Sequence, residues 1–203
     1  RGIGERLNDA TTMLAPLRTA FAARGLEVLD LPWNASYGPV GVSGPLGPSF
    51  DSDLRDGEAM LRHELDKGPA IVAGYSGGAA LAGNVAAAGH PNLVAVGLVA
   101  DPYMPDHGTG KYGVAGSRTI APPVVGGHAT YWEADPADII CQCPANSPIR
   151  GFSDVTHAFA FSDQRAYAED IANRLITQRW QRWWDVPGLW RIGIALQGVN
   201  GYL

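Results

Sequence analysis

Apolar positions along this chain switch between a helical and a strand period, and the switches mark out its elements. Leu7, Met13, Leu14, Leu17 and Phe21 recur at roughly helical spacing over residues 6–24, and Gly25 closes the run. Leu26–Leu31 then reads as a strand. Pro32–Phe50 is dense in proline and glycine and reads as a long surface loop. Asp51 or Asp53 stands where a helix cap is needed. The helix it opens reaches about Lys67, with Leu54, Met60 (or Leu61) and Leu65 inward. Pro69–Tyr75 predicts a strand, Gly77–Ala88 a helix and Leu93–Ala100 a strand. Asp101–Gly127 is loop-rich, Ala129–Trp132 is a short strand, and a long helix is expected from about Asp163 to Trp184.

Strands that alternate with helices predict the α/β class: a three-layer α/β/α arrangement around a central, mostly parallel sheet. A length of 203 residues suits one domain spanning 1–203. From Gly68 to Ala100 there is no Asp, Glu, Lys or Arg. Pro69, the glycines, Ser76, Asn84 and His90-Pro91 break that run into short pieces, so it reads as the buried centre of a soluble domain and not as a transmembrane segment. The chain opens at Arg1 with neither an initiating Met nor a signal peptide, so a truncated or processed form is expected.

A hydrophobic content of 46% and a net charge of −5 describe a globular, mildly acidic chain without the basic stripe that nucleic acid demands. The only cysteines, Cys141 and Cys143, are too close in sequence to bridge well. No Cys or His spacing suggests a metal site, and no organic cofactor is implied.

The chemistry concentrates at Ile71-Val72-Ala73-Gly74-Tyr75-Ser76-Gly77-Gly78. A β-branched run leads into G-x-S-x-G, and a small-residue helix follows. That order gives the pattern the context of a nucleophile elbow. A serine lifted above a strand end needs a strained backbone, and its neighbours two residues away must lack side chains, as Gly74 and Gly78 do. The plainer reading is a glycine-rich turn that only packs closely.

A serine hydroxyl needs a base, and the base needs an acid to orient it. With the acid and then the histidine following the serine, His157 is favoured and His128 comes second; a partly buried helix-start histidine is the plainer reading of His157. Asp101, Asp135, Asp138 and Asp154 compete as the acid, and Asp138, after the Trp132 strand, is favoured. Oxyanion donors are expected from the Gly77 amide and from a glycine-bearing loop, for which Arg1-Gly2-Ile3-Gly4-Glu5 has the right character.

Four stretches resemble the cutinase-like serine esterases of the α/β-hydrolase fold. They are Arg1-Gly2-Ile3-Gly4-Glu5, the elbow around Ser76, Asp135-Pro136-Ala137-Asp138-Ile139-Ile140-Cys141, and His157 before the last helix. Within that group the few cysteines, Gly97–Pro105 and the Ala/Gly/Trp-rich acidic composition resemble phage lysin B, the mycolylarabinogalactan esterases of phages that infect mycobacteria and their relatives. The resemblance implies a Ser76–His157–Asp138 triad with Gly77 and Ile3 as oxyanion donors. It implies hydrolysis of the mycolic acid–arabinogalactan ester at the host envelope after lysis, or on a virion. The interval from Asp138 to His157 is too short for the helical insertion some lysin B proteins carry, and Ile3 replaces a side-chain oxyanion donor found in many cutinases.

Trp180, Trp183, Trp184 and Trp190, interleaved with Arg179, Arg182 and Arg191, allow a peripheral lipid contact or a packed helix end. The loops at Tyr37–Leu46 and Tyr103–Val125 are alternative acyl-chain contacts. Two other functions fit the sequence: an esterase acting on simpler acyl esters, and a hydrolase fold reused as an envelope-binding module.

Overall fold

A computed structural model describes residues 1–121 and 128–177. The elements in chain order are helix α1 (Ala15–Ala22), the hairpin β1 (Ser36–Tyr37) and β2 (Val40–Gly41), a 3-10 turn (Gly44–Leu46), α2 (Phe50–Leu65), β3 (Ala70–Tyr75), α3 (Gly77–Ala88), β4 (Leu93–Val99), β5 (Lys111–Tyr112), β6 (Ala129–Glu133), β7 (Cys143–Pro144), α4 (Ile149–Thr156) and α5 (Gln164–Thr177). The fold is mixed α/β, as the alternation of periods implies.

Its centre is a parallel sheet in the order β3-β4-β6. Val72, Val96 and Trp132 fall on one face of that sheet, with Gly74 and Leu98 in neighbouring register on the same side. Helix α3 lies on this face, and α2 packs against α3. The helix α3 suits that position because Ala79, Ala80, Ala82 and Ala86 let it approach the strands closely, while Leu81 and Val85 fill the space towards α2. Helix α2 contributes Leu54, Leu61 and Leu65, each worth roughly 1.5–3 kcal/mol when fully buried. The opposite face is open at Ile71 and Tyr131, which are 50% and 66% exposed, so covering on both faces is seen on one side only among the described residues.

Several expectations are corrected. Leu26–Leu31 forms no strand. Leu26 and Leu29 are exposed, no described strand pairs with this segment, and the Asp30 carboxylate binds Asn8 N and Arg18 instead. Helix α1 is shorter than residues 6–24 and buries none of its residues; Pro16 in its first turn fixes where it begins. Ser49, not Asp51 or Asp53, caps α2 by accepting from Ser52 N at 3.3 Å. The Asp53 carboxylate reaches back instead to Ser36 N at 2.6 Å and pins the β1–β2 hairpin. Leu61 is buried and Met60 is 40% exposed. Helix α5 is described to Thr177, and the tryptophan cluster from Trp180 onward lies outside the described residues, as does part of the Tyr103–Val125 loop.

Candidate active site at the elbow

Ser76 follows the last residue of β3 and precedes the first of α3, with φ 51° and ψ −117°. A non-glycine residue in such a sparsely populated conformation costs about 1–3 kcal/mol, and its surroundings must impose it. They do so from both sides. Ser76 N donates to Val99 O at 2.9 Å, and Ser76 O accepts from Ala79 N and Ala80 N at 2.9 and 3.0 Å. The glycines answer separate neighbours. A Cβ on Gly74 would stand 2.2 Å from Gly78 O, one on Gly78 2.4 Å from Arg1 O, and one on Gly77 2.8 Å from Ile3 Cδ1. Ser76 is partly exposed, and its hydroxyl makes no hydrogen bond among the described residues.

The opening turn sits against this elbow. A Cβ on Gly2 would lie 2.8 Å from the Tyr75 ring and 3.5 Å from Ser76 Cβ. Gly2 N donates to Glu5 Oε2 at 2.6 Å, Glu5 N to Gly2 O at 3.2 Å and Gly4 N to Ala35 O at 3.0 Å. The Arg1 guanidinium ties the same turn to the carbonyls of Glu5 and Trp33. Within this turn the N–H of Ile3 has no acceptor among the described residues. Gly77 occupies the first position of α3, where backbone N–H groups have no partner inside the helix. The two amides expected to hold an oxyanion thus belong to contacting residues, and neither is consumed by regular structure.

Asp138 lies past the carboxyl end of β6, the same edge of the parallel sheet on which Ser76 stands. It is 7% exposed, and its Oδ1 accepts from Ile140 N at 2.8 Å. Burial raises the pKa of the Tyr75 hydroxyl, and the charges of Glu5 and Asp138 raise it further, which places both carboxylates in the field of the residue next to Ser76. Cys141 packs in a buried cluster with Ala100 and Met104 that also touches Tyr75 and Trp132. Both cysteines are free, and burial pushes the Cys141 thiol upward.

The competing acids are engaged or distant. Asp101 is fully buried and holds the Arg118 guanidinium at 3.0 Å and Tyr103 N at 3.0 Å. Arg118 also donates to Ala80 O and Asn84 Oδ1, so this pair ties the crest after β4 to α3. Asp135 is exposed and accepts from Ala137 N. Asp154 lies in α4, with Arg174 at 3.8 Å.

His157 makes no hydrogen bond to Ser76 among the described residues. It forms the C-cap of α4, not the start of the last helix, and is 7% exposed. Its Nε2 is 3.0 Å from Ser153 Oγ, and its Nδ1 is 3.7 Å from Asp51 Oδ1, beyond hydrogen-bond reach. Its ring packs edge-on against Phe50, Tyr37 and Tyr103. Phe50 in turn borders Gly77, where an added Cβ would be 3.3 Å from its ring, so one aromatic residue touches both the imidazole and the elbow. Burial lowers the His157 pKa to about 4, and the nearby Arg174 charge adds to that shift. At neutral pH the ring is uncharged and makes no ion pair with Asp51. His128 immediately precedes β6, at the sheet edge opposite Ser76. His107, passed over in the sequence, is exposed in the loop after β4 and stacks edge-on against Trp132 at 6.0 Å.

Phe50 was also missed in the sequence, whereas Gly2 and Glu5 belong to the opening loop that the sequence offered for the second oxyanion donor. Only the packing of α2 against the elbow reveals Phe50, and no local pattern encodes that long-range contact. An open cavity of about 510 Å³ lies between α2, α3 and α5, lined in part by Asp51, Glu58, Asn84, Tyr103 and Asp170. Ser76 is not part of its lining, and the chemistry-bearing residues point to the elbow. The chain matches no family model, and none of the curated proteins or solved structures compared with it matches.

Proposed function

We propose that this protein is a serine esterase of cutinase-like α/β-hydrolase type, with Ser76 as nucleophile and the Ile3 and Gly77 amides as oxyanion donors. One observation carries the reading: a strained, partly exposed serine at a strand–helix turn, with an amide that has no acceptor among the described residues in the turn packed beside it. Strain of this kind persists only where the surrounding structure imposes it, and it clusters at active sites. In the proposed reaction Ser76 Oγ bonds to the ester carbonyl carbon as its proton passes to an imidazole. The C–O bond then breaks, and the departing alcohol takes that proton. Water attacks the acyl-serine, releasing the fatty acid and restoring Ser76.

Asp138 is the proposed acid, on the sheet edge that carries Ser76. His157 is the proposed base on the ground of chain order. It must exchange its contact with Ser153 for one with Ser76 during turnover. The proposed substrates are lipid esters, and the mycolic acid–arabinogalactan ester is favoured by the four stretches that resemble lysin B. The setting that goes with it is the outer envelope of the host.

Hydrolysis of nitrophenyl esters from acetyl to dodecanoyl, set beside mycolate release from isolated cell-wall arabinogalactan, tests this reading. Ser76→Ala is expected to lower kcat by about 10⁴-fold or more. Cleavage of short esters alone would leave a simpler esterase. No cleavage of any ester would favour a binding module. His157→Ala and His107→Ala, assayed together, identify the base. Loss in the first assigns the base to His157, and loss only in the second moves the role to His107.

A further inference from the structure

We propose that Glu5 is a positioning residue that aims the Ile3 amide at the oxyanion, an inference that rests on the esterase reading of Ser76. The carboxylate closes the opening turn from both ends. Its Oε2 accepts from Gly2 N at 2.6 Å, and its Oε1 accepts from Met13 N at 2.7 Å, in the segment leading into α1. The Glu5 backbone N–H also donates to Gly2 O at 3.2 Å. Gly2 is therefore held by both its N–H and its carbonyl.

That grip fixes the peptide plane that matters. Across a trans peptide the C=O of one residue and the N–H of the next lie in one plane and point in opposite directions. With Gly2 C=O drawn into the turn by Glu5 N, the Ile3 N–H points out of it. The Ile3 side chain, wedged against Gly77, and Gly2, seated on Tyr75 and beside Ser76, fix the distance to the elbow. Glu5 fixes the direction. Without its carboxylate the turn keeps its seat, through Ile3, through Arg1 on the Trp33 carbonyl and through the backbone bond from Glu5 N to Gly2 O, but Gly2 N and Met13 N lose their acceptor and the Gly2–Ile3 peptide is free to tilt.

Glutamine is the informative substitution. It keeps the shape of Glu5 but offers one acceptor where two N–H groups converge, and it turns an NH2 toward the other. An oxyanion donor is worth about 10²–10³ in rate, and a misplacement near 1 Å costs about 10²-fold. Glu5→Gln is therefore expected to lower kcat on nitrophenyl butyrate by roughly 10- to 100-fold, with KM unchanged within about twofold. Glu5→Asp keeps both oxygens on a shorter arm and is expected to recover part of that loss. Thermal midpoints are measured on the full chain beside Leu65→Ala, a core variant remote from the turn, to calibrate what destabilisation alone does to kcat.

A kcat in Glu5→Gln within twofold of the parent overturns the proposal. So does a loss no greater than that of Leu65→Ala at a matched midpoint, or a loss confined to KM. If the parent protein neither cleaves the ester nor reacts with a fluorophosphonate at Ser76, the esterase reading fails and takes this role with it. A parent that is active beside an unimpaired Glu5→Gln sinks the positioning role alone.

Discussion

Replacing Ser76 by glycine should stabilise the protein, whereas the same replacement at an ordinary position would weaken it. The comparison is with Ser76→Ala, which removes the hydroxyl and keeps Cβ. Ser76 Oγ makes no hydrogen bond among the described residues, so alanine should leave stability near that of the parent. Glycine removes the Cβ that makes φ 51°, ψ −117° costly. Relief of about 1–3 kcal/mol is opposed by the roughly 0.5–1 kcal/mol that glycine loses in chain entropy on folding. The balance is a gain of about 1 kcal/mol for Ser76→Gly over Ser76→Ala, or about 2–4 °C in Tm for a domain of this size. Paired thermal unfolding of the two variants by circular dichroism at one pH reads the difference directly. Both variants should be inactive, so the strain would be a cost retained for function. A Ser76→Gly midpoint at or below that of Ser76→Ala would refute the argument that the elbow stores strain.

The remaining predictions concern groups buried around the site. Arg118→Ala strips the fully buried Asp101 of its guanidinium and is expected to cost about 3–5 kcal/mol in urea unfolding, with part recovered in Arg118→Ala/Asp101→Asn. The His157 pKa near 4 in the folded chain lies below its ordinary 6.5, so between those values the unfolded chain takes up a proton that the folded one refuses. Stability should therefore fall by up to about 3 kcal/mol as pH drops from 6.5 to 4. This contribution is flat above 6.5, and in His157→Gln its slope should vanish. Burial raises the Asp51 pKa, so its own contribution runs the other way at the acid end of that window, and the comparison with His157→Gln isolates the histidine. Cys141 and Cys143 are buried free thiols with raised pKa values, so Ellman's reagent should react only after denaturation.

How far the sequence could be read tracks how local each determinant is. The β3–elbow–α3–β4 unit is written in adjacent residues: a β-branched run, three glycines and a stretch of alanines. Its bounds match the reading within a residue. Asp138 follows the Trp132 strand in the chain, and because parallel strands fix which ends share a side it lies at the edge that carries Ser76. Leu26–Leu31 misled because apolar content favours a strand only where another strand offers a ladder, and none does among the described residues. The β5–β7 pair joins Lys111–Tyr112 to Cys143–Pro144 across a long separation, with two residues a side, too short to leave a pattern. His157 shows the same limit within the site. Chain order singled it out, yet where its ring rests depends on Ser153 one turn back and on the docking of α4 against Phe50 and Tyr103.

Covalent trapping reads out whether Ser76 is the activated hydroxyl of this protein. The full chain is treated with a fluorophosphonate, digested, and the modified peptide sequenced by mass spectrometry, with Ser76→Ala in parallel. An activated Ser76 gives one adduct, on Ser76, absent from the variant. No adduct would contradict it, as would an adduct on Ser153, the serine that holds the His157 ring at 3.0 Å in this structure.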